Sequence, residues 1–266
     1  MRVHASHVVL AALAASALLV GCSASGGPTQ AGSSGSAVAA RIDPQADAAL
    51  KRMSQALASA QIISFKAHST MDEPLESGQM GSFTRTSSVV MQRPDKLRAQ
   101  AHRGDRAWTL WYRGTKLTVL DESKKRYATL EVPGQIDKMF DFMADKYGMV
   151  VPLADFMFPN PYAELTEDVL KGEFVGQHRC HGAACDHLLF TQENMDWQIW
   201  IDRGTPPVPR KVVMDYKTRP GRPQFVAMLS DWALSSSVDD KLFDAVLPKD
   251  AKKVEMSELL KAGEGD

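Results

Sequence analysis

The chain has 266 residues, with 31 basic and 32 acidic side chains, a net charge of −1 and 44% apolar content. So even a balance excludes a nucleic-acid binder that works through a basic field, because counterion release needs a clear cationic excess. The apolar content supports a sizeable core, and the length suits one large β domain.

In chain order, the first segment carries one charge, Arg2, and then an apolar run from Val8 to Val20, the pattern of a removable secretory signal. Leu19, Val20, Gly21 and Cys22 match the bacterial lipobox. This predicts a signal peptide over residues 1–21, acylation of Cys22 and anchorage to a membrane by lipid. Ser23 follows the cysteine where an Asp would signal retention, which points to the outer membrane in bacteria that use that rule. No later stretch reaches the roughly 18 apolar residues a spanning helix needs. Residues 22–42 are rich in Ser, Gly and Ala and read as a flexible tether, with a root-mean-square reach of roughly 25 Å.

A single domain is expected from 43 to 266. Asp43-Pro44 forms a cap and first-turn pair, and Ala48, Leu50, Met53, Leu57 and Ala60 follow at near-helical spacing. The period then changes to two. Six strands of a meander are predicted between Ile63 and about residue 132, with turns at Arg113-Gly114 and at 121–125. Pro133-Gly134 ends that sheet, and Ile136, Met139, Phe140, Met143 and Tyr147 mark one apolar helix face. A second helical stretch is expected from about 152 to 170, broken by Pro159 and Pro161. Strands resume at Gly172 and continue through 174–177, 186–190, 196–202, 212–217 and 225–232. About eleven strands result. A sheet of that size must curl or close under its own twist, and the helical insert at about 134–170 is placed to cover the mouth.

The segment from Tyr127 through Trp232, with the string at 117–121 before it, resembles a family of predicted periplasmic proteins, the domain of unknown function numbered two thousand and ninety-two. The residues that carry the resemblance are Leu-Thr-Val-Leu-Asp at 117–121, Tyr127 to Pro133, Pro152 to Asp155 and Asn160-Pro-Tyr162. Cys185-Asp-His-Leu188, Asp196-Trp-Gln-Ile-Trp-Ile201 and Pro209-Arg-Lys-Val212 continue it. The resemblance implies a fold similar to the lipoprotein carrier and receptor LolA and LolB and to the regulator RseB. That fold is mainly β (α+β), a strongly curved antiparallel half-barrel with helices on its concave side. It implies no catalytic residues and no cofactor.

The residues themselves leave several readings. Cys180 and Cys185 are expected to pair as a disulfide in an oxidising compartment; with His181 and His187 they are also a candidate zinc set. Asp196 and Asp202 lie roughly 20 Å apart on an extended strand, too far for joint acid–base work, and no nucleophile elbow, zinc-protease helix or phosphate loop is present. Trp197 and Ile199 share one strand face, while Trp200 is on the other. One tryptophan face is expected to line a hydrophobic cavity, under a movable lid carrying Met139, Phe140, Met143, Met149, Phe156 and Met157. Ten basic residues against four acids between Arg93 and Arg126 suggest either solvated strand faces or a surface for anionic head groups. The functional expectation is a lipid-anchored protein without enzymatic activity that carries a lipid or acyl chain. The rival is an envelope protein-interaction or stress-sensing module on the same scaffold.

Overall fold

The computed structural model describes residues 41–235 and 237–264. The signal segment, Cys22 and the tether up to residue 40 lie outside them.

Among the described residues, all the strands join one sheet of 13, in the order β1-β8-β9-β10-β11-β12-β2-β3-β4-β5-β6-β7-β13. Two antiparallel meanders build it. The first comprises β2 (Ile62–Pro74), β3 (Met80–Gln92), β4 (Lys96–Arg103), β5 (Arg106–Arg113), β6 (Lys116–Asp121) and β7 (Arg126–Glu131). The second comprises β8 (Lys171–Cys180), β9 (Ala183–Thr191), β10 (Met195–Asp202), β11 (Pro209–Tyr216) and β12 (Gln224–Ser235). Pairing of β12 with β2 fuses the two. The result is the expected curved half-barrel of eleven long strands. Two short parallel strands, β1 (Arg41–Ile42) and β13 (Lys252–Lys253), cap its edges.

β1 corrects the reading of residues 41 and 42 as tether. Asp43 N–H donates to the Gly172 carbonyl at 2.9 Å, and a Cβ on Gly172 would come within 2.9 Å of Ile42 Cγ2. The missing side chain at 172 is what lets the incoming chain lie against β8.

Helix α1 (Pro44–Ser59) starts where capping chemistry places it, with the Asp43 carboxylate accepting from Gln45 N–H at 2.7 Å. Its Leu50, Met53 and Leu57 are fully buried against the sheet. Helix α2 (Ile136–Tyr147) buries Ile136, Met139, Phe140 and Met143 and ends at Gly148, whose left-handed backbone (φ 66°) closes the last turn. The stretch expected to be helical from 152 to 170 is instead a 3-10 turn at Ala154–Met157 and a short α3 (Pro161–Thr166). Pro159 and Pro161 lack the N–H that would continue a helix and disfavour helical geometry in the residue before them. A final helix, α4 (Met256–Glu264), packs on β7 beside β13; it was not anticipated.

One side chain ties the middle of the insert to both the sheet and α1. Arg93, in the β3–β4 turn, donates to the carbonyls of Met157 (2.8 Å) and Phe158 (3.0 Å) on the insert. It also donates to Ala60 (3.2 Å) at the end of α1. Arg93→Met should therefore lower stability by about 2–3 kcal/mol, the loss of charged hydrogen bonds to half-buried carbonyls. Urea unfolding checks this, and limited proteolysis should find new cleavage between 149 and 160.

Candidate functional site

The concave rows of the sheet are packed unequally. On the second meander they carry bulk: Phe190 is paired with Trp197, Trp197 with Met214 and Met214 with Phe225. On the first they carry small residues. Ala67 faces Ser87, Ser87 faces Ala101, and Val89 faces Ala99. Where alanine and serine line a strongly curved sheet, the helices above cannot reach the floor, and a cavity of about 340 Å³ remains. This falls within the size of small-molecule pockets.

Its floor is Ala67, Ser87, Ala99 and Ala101, with Phe65, Trp108 and Leu110 as walls; its roof is Phe140, the loop 149–153 and Met157. Leu259 and Leu260 of α4 close one side. The lining is apolar apart from Ser69, Ser87, Gln100 and Arg85. In the roof loop Val150 is 40% exposed although it borders the cavity. Leu153 has a left-handed backbone at φ 74°, which costs roughly 1–2 kcal/mol for a residue with a Cβ. Burying its side chain in the roof offsets that cost.

Residues 46–257 match the family model described as predicted periplasmic protein, DUF2092. The chain belongs to this family. No curated protein sequence matches it. Among solved structures, it is similar to the Mycobacterium tuberculosis lipoprotein LppX at 14% identity and a TM-score of 0.46, covering 74% of this chain and 100% of that one. LprF from Mycobacterium bovis is similar at 13% identity and a TM-score of 0.45, covering 75% and 98%. The LolA superfamily protein NE2245 from Nitrosomonas europaea is similar at 11% identity and a TM-score of 0.36, covering 75% and 97%.

Within this DUF2092 chain, Phe140, Met149 and Met157 are the residues expected at the cavity or lid from sequence that border the cavity. Met139, Met143 and Phe156 are buried in the continuous core, and Trp197 and Ile199 fill the packed half of the sheet. Trp200 lies on the convex face, stacked on His187 at 3.9 Å and covered by Lys211 Nζ at 4.6 Å. The alternation along β10 was read correctly, but neither tryptophan borders this void. The reason is register: Trp197 meets Phe190 and Met214, whose bulk fills the space above it.

The floor residues and Arg85 were missed. Their signal in the sequence is a small residue at every second position, Ala67-x-Ser69 and Ala99-x-Ala101, on strands whose pairing is not visible until the sheet is assembled.

The cysteine and histidine cluster divides. His181 occupies the β8–β9 turn with φ 48°, and among the described residues no three ligands converge to hold a metal. Cys180 and Cys185 share the convex face diagonally across the hairpin, since His178 pairs with Cys185 and Cys180 with Ala183. Both are buried and free, so the expected disulfide is not formed in the structure. Burial pushes the Cys185 thiol up to about 11, with a smaller push from Cys180, and it raises Cys180 as well.

Proposed function

We propose that this protein is a lipid-anchored component of the bacterial envelope that holds a lipid or acyl chain in the half-barrel cavity. The observation that carries the reading is the apolar void left by the alanine and serine floor beneath the roof loop. Mechanistically this is sequestration rather than chemistry. Each methylene moved from water into the cavity is worth roughly 0.8 kcal/mol, and opening of the loop at 149–153, next to the Gly148 hinge, sets exchange. The proposal extends to anchorage at the outer membrane through Cys22 and to pairing of Cys180 with Cys185 after export. Among the described residues no helix is long and apolar enough to cross a membrane.

Filling the void tests the ligand site. Ala101→Trp places an indole over the floor and should weaken binding of a fluorescent fatty acid at least ~10-fold, with thermal unfolding still cooperative. If the wild-type protein binds no apolar probe, the carrier reading fails and the scaffold is better read as a protein-interaction module.

Cys22→Ser should release the protein from the membrane fraction in high salt, because no other segment supplies an anchor of comparable apolar area. Retention of that variant would disprove the lipid anchor.

Protein recovered from the periplasm without reductant should resist thiol alkylation. After reduction, Cys185 should react about 100-fold more slowly than in urea, since its thiolate is suppressed by burial. Rapid labelling before reduction would refute the disulfide.

A further inference from the structure

Among the described residues, Arg85 is the one charged side chain that lines the cavity. It stands on the concave face of β3, directly across from Ser69 of β2, and it is exposed at the open end of the void. Among the described residues no carboxylate lies within ion-pair distance of it. The acid at this rim, Glu73, is already held by Arg103, whose two terminal nitrogens donate to its two oxygens at 3.0 and 2.7 Å. Arg103 is held further by the Phe83 ring, 4.4 Å from its guanidinium carbon. It pairs across the β4–β5 turn with Arg106, which lies over the Trp108 ring at 4.9 Å.

The rim thus places three arginines on neighbouring strands, and its acid is fully engaged by one of them. Desolvation and the nearby charge of Arg103 push the Arg85 guanidinium down from its ordinary value, partly countered by Glu73. The acid near this cation is already paired with Arg103. A planar guanidinium is matched best by an oxyanion that accepts two parallel hydrogen bonds.

We propose that the ligand is an anionic amphiphile, with its hydrocarbon tail in the cavity and a carboxylate or phosphate head on Arg85. This rests on the carrier reading above and narrows it. A neutral lipid would fill the same void and leave the cation to water, so the head group supplies both orientation and selectivity. The tail enters first over the small-residue floor, and the head stops at the rim.

The test uses the full-length protein and three single-chain probes: cis-parinaric acid, its methyl ester and lysophosphatidic acid, the last by displacement. Wild type should bind the acid about tenfold more tightly than the ester, the scale of one charge-assisted hydrogen-bond pair. Arg85→Met should erase that preference by weakening the acid and leave the ester unchanged. Arg85→Lys should restore part of it, and both variants should keep the wild-type unfolding midpoint. A stronger hold on lysophosphatidic acid would identify a phospholipid head group as the source, and a stronger hold on parinaric acid a free fatty acid. Equal binding of acid and ester by wild type would overturn the anionic-head proposal while the cavity reading stands. Binding of none of the probes would overturn both.

Discussion

The chain leaves the first meander at β7 and enters the second at β8, and these strands stand at opposite ends of the long-stranded part of the sheet. The connection between them has to cross a curved sheet, and it takes the concave side, where its apolar faces find cover. The helical insert is therefore a roof by topology as well as by hydrophobicity. The β12–β2 pairing makes the crossing obligatory, because it joins the last strand of the second meander to the first strand of the first and so leaves β7 and β8 at the far ends. Arg93 then holds the roof at one point, linking the backbone of the insert to the end of α1.

A roof spanning a sheet that wide cannot touch the floor everywhere. Over the second meander it does not need to, since Phe190, Trp197 and Met214 fill the concave side from below, with Phe190 and Trp197 stacked 4.2 Å apart. Over the first meander the floor is recessed by alanine and serine. The cavity is the difference between these two halves. An interior of this kind forfeits dispersion contacts that a filled core would have, and a matching ligand restores them. The rigid half of the domain supplies the stability that lets the other half stay open.

Around that opening the chain uses different physics for holding and for admitting. Regular hydrogen-bonded strands position the floor and the rim arginines, whereas the roof loop between α2 and the 3-10 turn contains a strained leucine and an exposed valine. In the proposed carrier, binding residues on the strands keep their geometry, and movement is left to the loop. The cationic rim sits on the strands, so its position does not depend on whether the loop is open.

Local pattern determined much of this molecule. Alternation along each strand, the Asp43-Pro44 cap, the i, i+3, i+4, i+7 face of α2 and the glycine at its end are all set within a few residues, and each is found where the sequence places it. Prolines 159 and 161 also act locally, although they fragment the insert more than the apolar spacing suggests. What the sequence could not decide is which strands lie opposite one another. Trp197 reads as a ligand wall and proves to be filling because Phe190 and Met214 are its neighbours. Ala101 reads as an unremarkable strand residue and becomes floor because Ser87 and Trp108 flank it. Arg85 reads as one charge in a serine- and threonine-rich strand and becomes a cation on the lining of an apolar cavity. Strand identity follows from periodicity within one segment, but packing depends on register between segments far apart in the chain, and that is decided only when the whole sheet closes around its core.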